Sequence, residues 1–322
     1  MQNTKKDFPV TNPLSSALSA AQNHVPGNAI QLARTLLAVS LLITLTFTAP
    51  TALFRLLVDA NEVIECQRYL AIGAYCIFPS VIAANVVGII IQLWVISGFL
   101  PRWSGLPQAW FAMSFDWSVS LGEGGDQVNH NLSLLLAIIA LFDNRLNGWS
   151  KHVPFAQLLA DRSHAVRSTC RFALLLAILQ VCFIYAHSGL GKIRVQEWSE
   201  GSAVYYTMNG QFGIPRYLDP LGELLTFPLV AIAATWSVIL LEVALALSPL
   251  FAVRARRLTI LAGALFHVGI IVFMGLWSFG IAMFAALLIL SMRLRNTPFE
   301  TIWRSSPSTE ETAPRVTSSS AL

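Results

Sequence analysis

The chain has 322 residues, of which 55% are hydrophobic and only 12% are charged. Soluble domains carry about 25% charged residues, so this composition argues against a soluble protein. The formal net charge of +4 does not indicate a nucleic-acid partner, because the basic residues lie mainly at the ends of apolar segments, as topology signals do. The predicted fold class is all-α, a polytopic transmembrane bundle whose main partner is the lipid bilayer.

Eight apolar segments are predicted to cross the membrane, with six as the lower limit. They are residues 30–57, 66–80, 82–100, 130–143, 167–188, 225–250, 258–275 and 278–292. The stretches 67–100 and 257–292 could each form either one long helix or two helices, separated by a short break at 78–80 in the first and at 277–280 in the second. The transmembrane domain is predicted to cover residues 29–295, between a flexible tail at 1–28 and a disordered tail at 296–322.

Positive charge predicts the orientation of these segments. The loop 144–171 has five lysines or arginines and the loop 251–257 has three. Because such loops stay in the cytoplasm, both termini are predicted to be cytoplasmic in a multi-pass protein of the plasma membrane. The polar stretches 114–131 and 189–224 then lie outside, and this requires two helices in 67–100 unless 104–121 also crosses the membrane. Residues 151–166 are predicted to form an amphipathic helix on the inner surface.

The first candidate site is the polar stretch 124–131, directly before an apolar segment. Asp126 caps the following helix in one interpretation. In the other, Asp126 belongs to a site with Gln127 and His130, because charge near membrane depth is costly unless it has a function. The stretch is not a phosphate-binding loop, since it lacks the Gly-Lys-[Ser/Thr] ending.

The second candidate is Lys192, which is predicted to follow a glycine-flanked break after a helix that ends near Tyr185 and His187. Lys192 could simply extend its ammonium to the lipid headgroups. Alternatively it lies in an outer cavity, where an amine removed from water releases its proton and becomes a base or a nucleophile. Trp198 is typical of the aromatic belt at a membrane surface.

The third candidate is His267, an imidazole in the middle of an apolar segment. It needs a partner across the bundle, and it is either a satisfied core histidine or a site residue. Glu242 lies at similar depth on the preceding segment, so these two residues could meet.

No metal site is predicted, because the histidines show no HxxxH or HExxH spacing. The cysteines form no CxxC pair and are predicted to be buried thiols. They are Cys66, Cys76, Cys170 and Cys182.

The segment YAHSGLGKIRVQEWSEGSAVYY resembles a motif of the horizontally transferred transmembrane (HTTM) family, whose best-known member is vitamin K-dependent γ-carboxylase. That motif runs from an aromatic helix end through A/S-G-[LV]-x-K-[LI] to W-x-x-G and another aromatic residue. SLGEGGDQVNHNL followed by FDNRLNGWSKH resembles a short bacterial branch, the sporulation-delaying protein B-like proteins. The resemblance covers about residues 30–295.

The resemblance implies several functional assignments. Lys192 matches the catalytic base of the carboxylase, and His267 matches a histidine in a late helix. Gly191 stands where the carboxylase has a second lysine, and the carboxylase's large lumenal region has no counterpart. The bacterial branch implies a role in producing or maturing a secreted antimicrobial peptide toxin, with a precursor peptide and a small partner protein. A quinone-like lipid cofactor is implied by the carboxylase.

The leading hypothesis is therefore toxin production at the outer face of the membrane, with enzymatic modification by Lys192 as one form of that role. The alternatives are a non-enzymatic precursor-binding, assembly or immunity protein, and a quinone-linked carboxylase-like enzyme. The catalytic candidates are Lys192, His187, Asp126 and His267. The candidates for substrate contact are Gln127, His130, Tyr185, Trp198 and Glu242.

Overall fold

The computed structural model describes residues 27–54, 66, 71–120, 122–150, 159, 161–210 and 219–292. Within these ranges the chain forms helices and no β-strand, which confirms the all-α prediction. Eight helices there have 15 residues or more. They are α1 (Gly27–Phe47), α2 (Val81–Ser97), α3 (Pro101–Ser118), α4 (Gly124–Ala140), α5 (His164–Lys192), α6 (Pro228–Leu247), α7 (Val253–Met274) and α8 (Trp277–Ser291).

The composition of these helices is that of a membrane bundle. Helices α1, α5, α6 and α7 are long and apolar enough to cross a membrane, and α2 and α8 are shorter apolar helices. Their outward faces are apolar as well, since Leu229, Leu240 and Leu265 are 81%, 64% and 64% exposed. Such a surface suits lipid, and helices satisfy their own backbone hydrogen bonds there. The protein is therefore a helical membrane protein.

Two apolar cores hold the bundle together. The larger one joins α4, α5 and α8 with the first half of α1. The smaller one joins the second half of α1 with α2 and α3, around the tilted and edge-to-face rings of Phe54, Tyr75 and Phe115. Helix α1 thus lies between the two cores and packs along α8.

The helices alternate in direction, so their ends gather at two sides of the bundle. We name the first side the Lys192 end (residues 47–54, 71–81, 118–126, 192–210 and 274–279) and the second the arginine-rich end (residues 97–102, 140–150, 161–171 and 247–257). At the Lys192 end the Ser120 amide donates to the Leu53 carbonyl at 2.8 Å. At the arginine-rich end the Gly148 amide donates to the Gly98 carbonyl at 2.8 Å, which joins two loops.

The predicted span at 66–80 is wrong for the described residues. Only Ala74–Ile77 forms a short α-helix there, between Gly73 and the Pro79 turn. The remaining long helix is instead α3, although part of it was predicted to be an outer loop. Polar residues lower the hydropathy of α3, but Ser104, Gln108 and Ser114 are buried inside the bundle, and Gly105 packs directly against Ala140 of α4.

The two-helix alternative is the correct one for 257–292. Helix α7 ends at Gly275, whose φ of +71° is left-handed and terminates the helix. The break therefore comes a few residues before the predicted one at 277–280. Similarly, α2 ends at Gly98 with φ +71°, so the chain can turn directly into α3.

The prediction of four buried thiols is wrong for two of them. Cys66 and Cys76 form a disulfide, with Cα atoms 5.6 Å apart, at the Lys192 end. Their spacing of ten residues matches no common motif, so this bond could not be predicted from the sequence. Cys170 and Cys182 are free, the first buried and the second half-buried.

Several predictions concern residues outside the described ranges. Both tails lie there almost entirely, as does most of the predicted amphipathic helix at 151–166. These predictions stay untested.

Candidate functional site

Lys192 is the last residue of α5 and is bound to Glu242 in the middle of α6. Its Nζ lies 2.8 Å from Oε1 and 2.7 Å from Oε2 of Glu242. It also donates to the Ser188 hydroxyl oxygen at 2.7 Å, and that hydroxyl donates to Oε1 of Glu242 at 3.2 Å. An ammonium has three N–H donors, so all three of them have an acceptor here.

The geometry of this pair depends on α5 continuing through the sequence Ser-Gly-Leu-Gly. The predicted break before Lys192 is wrong, because α5 is helical up to that residue. Ser188 and Lys192 are four residues apart and so share one helix face. A Cβ on Gly189 would lie only 3.2 Å from Cβ of Glu242. The absence of a side chain at Gly189 therefore lets α5 and α6 approach closely enough for the ion pair to form.

The ion pair lies largely away from solvent. The side chains of Lys192 and Glu242 are 20% and 7% exposed. The ring centroid of Trp198 lies 5.1 Å from Nζ, which is cation–π distance. The segment after Trp198 is fixed to α6, because the Thr235 hydroxyl donates to the Gly201 carbonyl at 2.9 Å. A lysine with these contacts does not extend to the headgroups, which favours the site interpretation.

A second polar pair lies beside the first. The Tyr185 hydroxyl is 3.0 Å from Nε2 of His267, and these residues are 1% and 2% exposed. Nδ1 of His267 is buried and has no hydrogen-bond partner among the described residues. Tyr185 interacts electrostatically with Glu242, and His267 with Lys192. We name these residues, with Ser188, the Lys192 centre.

Glu242 and His267, which the sequence placed at similar depth, do not bond to each other. Each is bonded to a residue of α5 instead, Glu242 to Lys192 and His267 to Tyr185. Helix α5 therefore supplies both partners and joins α6 and α7 through polar contacts.

The polar stretch 124–131, which was predicted to precede a helix, in fact forms the first turns of α4. Glu123 is the N-cap residue, and its amide donates to Oδ2 of Asp126 at 3.0 Å in a capping box. The Ser278 hydroxyl donates to the Glu123 carboxylate, and a Cβ on Gly125 would lie 2.9 Å from Cα of Phe279. Asp126 thus has the capping role, and the glycine lets the N termini of α4 and α8 touch.

The other candidates lie elsewhere. Nδ1 of His130 is 2.9 Å from Oδ2 of Asp116, in a partly buried pair between α4 and α3. Gln127 is exposed. His187 is exposed too and stacks on Phe183, with ring centroids 5.9 Å apart. No hydrogen bond or ion pair joins these three to the Lys192 centre, whereas Tyr185, Trp198, Glu242 and His267 are brought together around Lys192.

Three partners of the candidate residues were missing from the sequence candidates: Ser188, Asp116 and Glu123. Ser188 could have been found from its position four residues before Lys192, had α5 been predicted to continue. Asp116 had no such signal, because its partner His130 is on the next helix.

The Lys192 centre can move a proton without changing its charge. A fully bonded ammonium has no lone pair, so as it stands Lys192 is neither base nor nucleophile. Transfer of one proton to the Glu242 carboxylate over 2.7 Å leaves a neutral amine beside a neutral acid. An environment with little water disfavours two separate charges and makes this transfer less costly than in solution.

Two proteins of Bacillus subtilis (strain 168) are similar to this chain. Sporulation-delaying protein SdpB is 31% identical over 269 residues, which are 81% of this chain and 80% of SdpB. Uncharacterized protein YitO is 28% identical over 270 residues, which are 82% of this chain and 84% of YitO. No family model matches, and neither does any solved structure.

Proposed function

The chain belongs to the family of sporulation-delaying protein SdpB, and on this basis we propose that it is a membrane protein needed to produce a secreted peptide toxin. We propose that its site is the Lys192 centre and that its substrate is the precursor peptide. The observation behind this proposal is the half-buried ammonium of Lys192, whose three acceptors come from two helices. Charged groups at membrane depth are costly and mark function more often than structure.

The proposed site is at the outer face of the cytoplasmic membrane, and two independent features support this. The arginine-rich end carries Arg145, Arg254 and Arg257, and positively charged loops of membrane proteins stay in the cytoplasm. The Cys66–Cys76 disulfide lies at the opposite end with Lys192, and disulfides persist in oxidising compartments outside the cytoplasm.

The proposed chemistry begins with proton transfer from Lys192 to Glu242. The freed amine then takes a proton from the precursor as a general base and becomes an ammonium again, while Glu242 gives its proton to the product and returns to a carboxylate. Tyr185 and His267 provide a neighbouring hydrogen-bonded pair that can stabilise charge formed on the substrate.

The test compares secreted peptides by mass spectrometry from cells with no copy, the wild type, Lys192→Ala or Arg194→Ala, at matched membrane levels. Arg194 is exposed and two residues away, so it controls for loss of a positive charge. We expect a peptide product with the wild type and Arg194→Ala only. The same peptides from Lys192→Ala cells would refute a function for Lys192, and the same peptides from all four would refute toxin production.

A non-enzymatic role in precursor binding, assembly or immunity is a second candidate. It is favoured by the complete hydrogen bonding of the ammonium, which suits a structural ion pair. Lys192→Arg separates the two, since arginine keeps the charge but cannot give up its proton. An assembly protein accepts this change, whereas an enzyme that needs a free amine does not. The wider HTTM resemblance and a quinone-like cofactor stay predictions, and a bound quinone or a modified glutamate detected by mass spectrometry would support them.

A further inference from the structure

A second cation is buried in the bundle, towards the arginine-rich end. Arg34 of α1 is 1% exposed, and all its hydrogen-bond acceptors are neutral. Two bonds are of good length, Nη2 to the Ser104 hydroxyl at 2.9 Å and Nε to Oε1 of Gln108 at 3.2 Å. The contacts of Nη1 with the Pro101 carbonyl at 3.4 Å and with Oε1 of Gln31 at 3.5 Å are long for such bonds.

No carboxylate contacts Arg34 within the described part of the chain. The charge of Asp143 reaches it, but the Asp143 carboxylate is bound to Arg145 at 2.6 Å. Helix α3 also begins at Pro101, so its N-terminal dipole adds positive potential near the guanidinium. A buried cation without a bonded counter-charge is strongly unfavourable.

A buried amide with no bonds lies at the same level. Gln92 of α2 is 1% exposed, and neither Oε1 nor Nε2 has a partner among the described residues. One turn away, Gly88 packs so closely on the ring of Phe111 that a Cβ there would lie 2.1 Å from it. Helices α2 and α3 are antiparallel, so the direction towards the arginine-rich end runs up the sequence in α2 and down it in α3. In that direction Gln92 lies four residues, about 6 Å, beyond Gly88, and Gln108 lies three residues, about 4.5 Å, beyond Phe111. Gln92 is therefore level with Gln108, which binds Arg34.

We propose that Arg34 and Gln92 bind a small inorganic anion such as chloride, between α1, α2 and α3. The anion would supply the missing counter-charge of Arg34 and accept a hydrogen bond from Nε2 of Gln92. An accompanying water would donate to Oε1 of Gln92. Gly88 packs directly on the ring of Phe111 beside the site, so we expect the site to admit a monatomic ion and to exclude larger anions.

The site lies near the arginine-rich end. The loop at Gly148 covers it, since a Cβ on Gly148 would lie 2.5 Å from Oε1 of Gln31. The anion site is thus at the other end of the bundle from the Lys192 centre and independent of its function.

The test is the thermal stability of the purified protein in detergent, as chloride replaces gluconate at constant ionic strength. Gluconate is too large for the site. We expect the Tm of the wild type to rise in a saturable way, by about 3 °C at a chloride concentration about ten times the dissociation constant. Gln92→Leu should remove the response, and Arg102→Gln, which changes an exposed arginine at the same end, should retain it.

Two results would overturn the proposal. One is a wild-type Tm that does not depend on chloride, and the other is an equal response in Gln92→Leu. Should Gln92→Leu not fold, crystals of the wild-type protein soaked in bromide provide the test instead. Anomalous scattering from an ion between Arg34 and Gln92 supports the site, and no ordered ion there refutes it.

Discussion

Loss of the Glu242 carboxylate should destabilise the protein through Lys192. Glu242→Gln leaves the ammonium inside the bundle without a negative partner. Breaking a buried ion pair in this way costs about 3–5 kcal/mol. The Lys192 side chain retains 20% exposure, so it can partly reach water and the expected loss is smaller. We expect about 2–3 kcal/mol, which lowers the Tm by about 4–12 °C.

A double-mutant cycle separates this effect from general damage. Lys192→Met and Glu242→Leu should each destabilise the protein, while the double variant has no unpaired charge left. The interaction free energy should therefore be at least about 1 kcal/mol. The assay is thermal unfolding in detergent, with the exposed Glu223→Gln as control. A Tm of Glu242→Gln within about 2 °C of the wild type, or additive single effects, would refute the reasoning.

Three more predictions concern particular contacts. Tyr185→Phe leaves both ring nitrogens of the buried His267 unpaired and should cost about 1–3 kcal/mol in thermal unfolding, and an unchanged Tm would contradict this. Gly125→Ala places a Cβ 2.9 Å from the backbone of α8 and should destabilise the protein by about 1–3 kcal/mol. Its control is Gly191→Ala, which has open space around it and should be neutral or stabilising. Equal effects of the two variants would exclude close packing as the cause. In intact cells, a membrane-impermeant reductant followed by an impermeant maleimide should label the cysteines of the 66–76 disulfide, and labelling only after lysis would reverse the proposed orientation.

The sequence was sufficient to predict the fold class and most of the long helices, because continuous apolar runs depend on composition alone. It failed for α3, where Ser104 and Gln108 lower the hydropathy although both are 1% exposed. Hydropathy depends on the residue type alone and not on the contacts that the side chain makes. These two side chains are buried because they bind Arg34. The stretch 66–80 shows the opposite case, because it is apolar but only Ala74–Ile77 forms an α-helix among its described residues.

The same limit applies to the site. Single residues such as Lys192 and His267 stand out in the sequence as polar groups near apolar segments. Their partners could not be predicted, because pairing depends on how far α5 extends. The sequence Ser-Gly-Leu-Gly has weak helix propensity, yet close packing of Gly189 on α6 keeps it helical.

The two buried cations differ in a way that assigns them different chemistry. Lys192 has a carboxylate within hydrogen-bond distance, so a proton can pass from Nζ to Glu242 while the total charge of the pair stays zero. Arg34 has only neutral acceptors, and a guanidinium does not lose its proton in a protein. Among the described residues no carboxylate bonds to it, so we expect a negative ion brought to the site to balance its charge. Proton transfer is thus expected at the Lys192 end, and anion binding at the arginine-rich end.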